Sequence, residues 1–323
     1  MFETLIAMNP LVSVILPVYN QENFIRETIE SVLSQSFTDF EFLILDDGST
    51  DGSAAIIREY SAKDTRIIAR YHSNAGKSLA TNEIVGFARG EYCAFLDADD
   101  VMLPDRLKMQ VDFHLKNPHI YASSTHCYYI NERGNRFGVQ RYPALRTIEE
   151  WQQASANKDW ITCSFTALMV KTKVFIEVGG LAKRFEPCED FEFMNRLLDH
   201  HYILLINPIV SMKYRIHPTA VTVKKPMLVF DKITYVKRCI QHRRAGEPEI
   251  SFEDFLALQQ DYSWWTKFNR KRFNYSRILF RSAGFAILSK NYLSFVWRLA
   301  TSMVLSPDYV FKKMTNFSKS KNG

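Results

Sequence analysis

The sequence predicts an α/β fold: a mostly parallel, helix-covered sheet followed by an α-helical extension. Three observations carry this. Apolar, β-branched runs alternate with helix-period segments through the first hundred residues, as successive βαβ units require. Polar clusters sit at the ends of those runs, where open α/β sheets bind ligands. From about residue 224 the strand-like runs stop and apolar positions recur at spacings of three and four. With 323 residues, 46% hydrophobic and 24% charged, the chain can bury one large core and carry an appendage. The expected layout is a disordered lead-in over 1–10, a main domain over 11–222 divided at 103/104, and a helical extension over 223–323.

Val12-Ser13-Val14-Ile15-Leu16 reads as a buried first strand, closed by Pro17 and followed by Tyr19 and Asn20. Asn20 is suited to cap a helix in which Phe24, Ile25, Thr28, Ile29, Val32 and Leu33 recur at helical spacing. A second strand over 40–45 ends in Asp46-Asp47-Gly48-Ser49-Thr50-Asp51-Gly52-Ser53, which opens a short helix. A third strand over 66–71 and a helix carrying Leu79, Ile84, Val85 and Phe87 lead through Gly90 to a fourth strand over 92–96. That strand ends in Asp97-Ala98-Asp99-Asp100. Three carboxylates within four residues repel one another unless a cation joins them, and a hard divalent ion, Mg²⁺ or Mn²⁺, fits oxygen ligands. Such ions complete their shells with substrate phosphates, so a phosphorylated substrate is implied too. The alternative is an acidic loop that caps the helix starting near Pro104. Neither G-x-x-x-x-G-K-[ST] nor G-x-G-x-x-G after a strand occurs.

Beyond the acidic cluster, a helix with Pro104 in its first turn is expected to reach Lys116. A hairpin over 121–139 turns at Asn131-Glu132-Arg133-Gly134-Asn135, a helix covers 148–154, and a strand covers 161–170. Trp151, Trp160 and Phe165 either stack on a sugar ring or belong to the core. Cys188-Glu189-Asp190-Phe191 starts another helix, where acids are favoured by capping and by the dipole. A last strand over 209–214 runs into Arg215-Ile216-His217-Pro218.

Several of these stretches, in this order, closely resemble the inverting family 2 glycosyltransferases of the GT-A fold. They are Val12 through Asn20, Ser34-Gln35-Ser36-Phe37-Thr38-Asp39-Phe40-Glu41, Asp46 through Asp51, Gly90-Glu91-Tyr92, and Phe95 through Asp100. The resemblance covers roughly residues 11–218. It implies a nucleotide-diphospho-sugar donor, most often a UDP-sugar, a metal-dependent reaction with inversion, and an acceptor half over 104–222. By motif match, Pro17 and Tyr19 line the base pocket and Asp47 hydrogen-bonds the base. Asp97 serves the ribose and Asp99 the metal, while Asn20, Asn82 and Ala98 fall within the nucleotide-binding motifs. Relatives often carry Ala-Arg-Asn where this chain has Ala80-Thr81-Asn82; Lys77 either supplies the missing charge near the diphosphate or is an exposed helix lysine.

The Glu-Asp pair matches the motif whose Asp is the general base, here Asp190, with Glu189 placed for acceptor or donor hydroxyls. Arg215-Ile216-His217 resembles the Arg-x-His of non-processive members, which places His217 near the donor phosphates or metal; its alternative is a loop histidine. Gln-x-x-Arg-Trp, usual in processive synthases, does not occur, which favours transfer of a single sugar to a saccharide or lipid-linked saccharide in cell-surface polysaccharide or glycolipid assembly. Two other classes share parts of this pattern. A nucleotidyltransferase acting on sugar phosphates normally begins with a glycine-rich strand-to-helix loop, which Pro17-Val18-Tyr19-Asn20 does not offer. A noncatalytic nucleotide-sugar-binding module would lack the carboxylates, yet Asp97, Asp99 and Asp190 are present.

The formal charge of +6 is unevenly spread: from residue 262 onward twelve Lys/Arg face one acid, a balance of +11 that leaves −5 for the first 261 residues. Nucleic-acid binding by the main body is therefore disfavoured, and an anionic surface is the expected contact of the tail. Five scattered cysteines, none in Cys-x-x-Cys spacing, argue for reduced thiols and a cytoplasmic protein, peripheral at the inner face of the plasma membrane. The start of the chain lacks the charged and apolar segments of a signal peptide. Charges at Arg281, Lys290 and Arg298 interrupt the apolar run between Ser276 and Pro307 before it reaches the roughly 18–20 residues of a spanning helix. An interfacial helix pair or a packed helical appendage both fit.

Overall fold

The structure, a computed structural model, describes residues 9–142, 144–218, 220–288 and 290–319. The expected lead-in lies outside the described residues except for Asn9 and Pro10. The chain divides into two compact units, Met1–Ala220 and Val221–Gly323.

The first unit follows the order β1 (Val12–Val18), α1 (Ile25–Leu33), β2 (Phe40–Asp47), α2 (Ser53–Ser61), β3 (Ile67–His72), α3 (Lys77–Val85) and β4 (Tyr92–Phe95). It continues with β5 (Val101–Met102), α4 (Arg106–Lys116), β6 (Ala122–Ile130), β7 (Arg136–Gln140), α5 (Ile148–Ala156), β8 (Met169–Lys171), α6 (Thr172–Glu177), α7 (Glu189–Asp199) and β9 (Leu204–Arg215). The strands form one nine-stranded sheet in the order β3-β2-β1-β4-β8-β6-β9-β5, with β7 beside β6. Pairing is parallel from β3 to β4, as the intervening helices dictate, and again between β6 and β9. The pairs β4–β8, β6–β8, β6–β7 and β5–β9 are antiparallel. This is the GT-A arrangement.

The continuous apolar runs of β1 and β2 arise because both faces of the sheet are covered. Val12, Val14, Leu16 and Val18 point into one cluster with Phe42 and Ile44, and Ile15 points into the other with Leu43, Leu45 and Phe95. Trp151 and Phe165 belong to the latter core, and Trp160 packs against Phe191. The five cysteines are free and buried.

Three local expectations are corrected. Residues 161–168 are not strand, because their backbone is satisfied by side chains: Asn195 brackets Ile161 at both N (3.1 Å) and O (3.0 Å), and Ser124 Oγ donates to Ser164 O (2.9 Å). Only Met169–Lys171 pairs in the sheet. Pro104 lies before the helix, whose N-cap is Asp105. Asn20 does not cap α1; the N-cap position falls at Phe24, without a side-chain cap bond.

The second unit is helical: α8 (Val221–Lys224), α9 (Pro226–Ala245), α10 (Phe252–Gln260), α11 (Trp264–Leu288), α12 (Tyr292–Leu305) and α13 (Pro307–Lys319). Ser251 caps α10 by accepting from Asp254 N, and Gly246 ends α9 in the left-handed conformation. Among the described residues, no helix is long and apolar enough to cross a membrane.

Candidate active site

Parallel pairing of β1, β2 and β4 brings their carboxyl ends to one rim. Pro17 is the penultimate residue of β1, and Tyr19, exposed, follows the strand's end. Asn20, at φ +53°, turns the chain sharply there, its Oδ1 accepting from Thr50 N (2.8 Å) while its own N donates to Ser49 Oγ (3.0 Å). Gln21 N to Ser53 Oγ (2.8 Å) and Gly52 N to Glu22 Oε2 (2.7 Å) complete a staple between the loops after β1 and β2. Asn20 thus acts here as a brace.

Asp47 is buried at the end of β2 and clasps the loop before α3. Its Oδ1 accepts from Ala75 N (2.7 Å) and pairs with His72 Nε2 (2.9 Å), while Oδ2 accepts from Gly76 N (3.0 Å) and Asn74 Nδ2 (3.2 Å). A carboxylate oxygen has about two acceptor sites, so contact with a base requires part of this clasp to be exchanged. Asn82, expected among the nucleotide-binding residues, is engaged on both sides of its amide: it donates to Leu181 O (2.8 Å) and accepts from Leu181 N (2.7 Å). It holds the loop ahead of α7 to α3. Gly180, at φ +62°, passes so close that a Cβ would collide with Asn82 Oδ1.

Beyond β4 the acidic residues separate into different environments. Asp97 is bound by Lys77 Nζ (Oδ1, 2.6 Å), and its N donates to Thr166 Oγ1 (3.1 Å). Ala98 is buried, its carbonyl accepting from Thr28 Oγ1 (3.0 Å). Asp99 Oδ2 lies 2.8 Å from His217 Nε2, and His217 rests against the ring of Phe24. Asp100 is fully buried and accepts from Arg215 N (2.7 Å). Burial, reinforced by Asp99 and Asp97, raises the Asp100 carboxyl well above the usual range.

Lys77 opens α3 among three acidic groups: Asp97, Glu189 and Asp190 all act on it, and Phe165 lies 5.5 Å from its ammonium. Burial pulls the lysine down, yet these carboxylates outweigh it and raise it overall. Glu189 and Asp190 start α7. Burial raises both carboxyls and Lys77 opposes it, with their mutual repulsion adding to the rise at Glu189. Asp190 Oδ1 accepts from Phe191 N (2.6 Å). The structure therefore joins Asp97, Lys77, Glu189 and Asp190 in one charged cluster, while Asp99, two residues after Asp97, pairs with His217.

Asp46 Oδ1, Ser78 Oγ, Asp100 Oδ2 and Glu189 Oε2 are buried at or beside this rim without a protein partner, as expected where polar ligands or water complete the hydrogen bonds. Asp99 and His217 fit a divalent cation as one carboxylate and one imidazole. Mg²⁺ and Mn²⁺ commonly take few protein ligands and fill the rest with water and phosphate. Among the described residues no group of three or more candidate ligands occurs.

Two arginines support the rim, Arg106, which carries no motif, and Arg215, the first residue of the Arg-x-His stretch. Arg106, fully buried, donates through Nη2 to Phe95 O (2.8 Å) and Leu168 O (3.3 Å), fixing the end of β4 just ahead of the acidic cluster. Arg215 donates to Asp99 O (2.7 Å), Glu132 O (3.0 Å) and Glu27 Oε2 (2.5 Å). Arg106 has a sequence signal, an arginine on the apolar stripe with Leu107, Gln110 and Val111. Arg215 has as its signal the Arg of the Arg215-Ile216-His217 motif.

Fold and rim together define a chain of the GT-A glycosyltransferase class. The chain belongs to glycosyltransferase family 2: the family model Glycosyl transferase family 2 matches residues 13–179. It is 34% identical over 213 residues to an uncharacterized glycosyltransferase of Methanocaldococcus jannaschii, covering 64% of this chain and 71% of that protein. It is 44% identical over 108 residues to Bacillus subtilis TuaG, provisionally assigned to teichuronic acid biosynthesis, covering 33% of this chain but only 43% of TuaG. Staphylococcus aureus TarS 1-349 in complex with UDP superposes with a TM-score of 0.53 at 17% identity, covering 91% of this chain and 90% of that one. The mannosyltransferase PcManGT of Pyrobaculum calidifontis, in complex with GDP-Man and Mn²⁺, gives 0.54 at 16% identity, covering 92% and 87%. These last two show likeness of fold.

Proposed function

We propose that the chain transfers a single sugar from a nucleotide diphosphate donor, a UDP-sugar, to a hydroxyl of a saccharide or lipid-linked saccharide, with inversion and with Mn²⁺ or Mg²⁺. The observation that carries this is the convergence of Asp190 and Glu189 with Lys77 and Asp97 at the strand-end rim. The UDP complex of TarS and the teichuronic acid assignment of TuaG support the donor and the cell-surface setting. Pro17 and Tyr19 receive the base, with Asp47 released in part from its clasp. Asp97 receives the ribose; Asp99 with His217 would hold the divalent ion, which would supply positive charge for the leaving diphosphate.

An acceptor hydroxyl is a poor nucleophile until a carboxylate takes its proton. Asp190 takes that role by its match to the Asp of the family's Glu-Asp motif, with Asp97 and Asp99 committed elsewhere, and burial raises its carboxyl above the usual carboxylate range. The test combines calorimetry of UDP binding, with metal and with EDTA, and transfer kinetics. Asp190→Asn is expected to keep metal-dependent UDP binding and lose roughly 100-fold or more in turnover. Near-normal turnover moves the base elsewhere; equal UDP binding in EDTA removes the metal; a product retaining the donor's anomeric configuration rules out inversion.

A further inference from the structure

The helical unit carries an unusual distribution of side chains. Helices α11 and α12 pack through small and hydroxylated residues: Ser276 Oγ donates to Ser302 O (2.8 Å), Ser302 Oγ returns a bond to Ser276 O (2.8 Å), and Ala283 and Ala286 are buried in α11. Arg298 turns inward as well, donating to Ser282 O (3.2 Å). The outside of α12 is the reverse. Leu293 is 88% exposed, Val304 79%, Trp297 64% and Val296 61%. At about 100° per residue these four and Ala300 fall within a sector of about 100°, and Ser302 points opposite Leu293. No charged residue of α12 lies on that face, because Arg298 is directed to the seam.

A helix pair in water buries leucine, valine and tryptophan and exposes serine. This pair does the opposite, the distribution favoured where the surroundings are themselves apolar. Among the described residues no helix is both long and apolar enough to cross a bilayer, and an amphipathic face of this kind suits a position in the plane of the lipid–water boundary. The charge agrees: the region from residue 262 carries a balance of +11, with Lys267, Lys271 and Arg272 exposed on α11 near exposed Trp264 and Trp265. Aromatic and basic side chains favour the headgroup layer, and basic ones select anionic lipid. We infer that the α12 face formed by Leu293, Val296, Trp297 and Val304 inserts into an anionic lipid surface, with the basic residues of α11 providing electrostatic attraction.

This inference stands apart from the transferase reading, and the test keeps the two separable. The full chain is sedimented with phosphatidylcholine vesicles with and without phosphatidylglycerol, at low and high salt, and its size in solution is measured alongside. Binding is expected to the phosphatidylglycerol vesicles, much weaker binding without that lipid, and loss at high salt. Leu293→Ser/Trp297→Ser is expected to bind at least about tenfold more weakly while keeping the wild-type affinity for UDP and wild-type circular dichroism. Lys271→Gln/Arg272→Gln is expected to lose affinity for anionic vesicles and depend less on salt. Failure to bind phosphatidylglycerol vesicles, equal binding to both vesicle types, or unchanged binding by the Leu293/Trp297 variant overturns the inference. So does a wild-type dimer that this variant dissociates in the absence of lipid, since a second copy would then cover the face.

Discussion

Replacing Lys77 by methionine removes one positive charge from the carboxylate cluster while keeping an unbranched stem. Its ammonium lies 2.6 Å from Asp97 Oδ1, and its field lowers the carboxyls of Glu189 and Asp190 against burial, which raises them. An opposite charge nearby lowers a carboxyl by about 1–3 units. The Lys77 side chain is 40% exposed, so screening by water places the effect at the lower end, about 1 unit. A general base acts when deprotonated. Loss of the lysine charge therefore raises Asp190 further and moves the ascending limb of transfer rate against pH upward by about 1 unit. Below that limb the variant is about tenfold slower, and on the alkaline plateau it approaches the parent rate. The assay is the pH profile of kcat/KM for transfer, with UDP affinity measured at each pH. An unmoved limb together with weakened UDP binding would refute the reasoning and put Lys77 on the donor diphosphate.

Two further predictions concern stability. His114 is buried against Ser123 Oγ (3.0 Å), and burial, aided by Lys171, pushes its pKa down to about 3 from 6.5. The unfolded chain takes this proton near 6.5 and the folded chain does not, so the contribution is present above that pH and is lost as pH falls toward 3. His114→Gln is expected to flatten the acid dependence of Tm between about pH 6.5 and 4, and an unchanged slope in thermal melts would dismiss the assignment. Gly180→Ala combines a strained φ with the clash at Asn82 Oδ1 and is expected to cost about 1–3 kcal/mol in denaturant melts. Adding Asn82→Ala removes the steric part; an equal loss in the double variant would leave only the backbone strain.

The first half of the sheet was legible because βαβ units are local. An apolar run buried on both faces, a helix-period segment and a polar strand end are all readable along the chain, and their order placed Tyr19, Asp47 and Asp97 at one rim. The tail's charge and the basic residues that interrupt its apolar run were legible for the same reason, since both are properties of contiguous residues. What failed depended on distant partners. Residues 161–168 have the composition of a strand, but Asn195 and Ser124 satisfy their backbone from elsewhere in the fold. Asn20 has the residue type of a helix cap, but its side chain accepts from Thr50 N in the neighbouring loop, and the Asn82 amide is engaged by Leu181. The ion pair of Lys77 with Asp97 and the proximity of Lys77 to Asp190 span separations that no local pattern encodes. Sequence by itself determined which chemical groups the chain possesses and which strand ends carry them. Tertiary structure decided which of those groups already have partners, because a hydrogen bond or ion pair depends on distance in space and not on spacing along the chain.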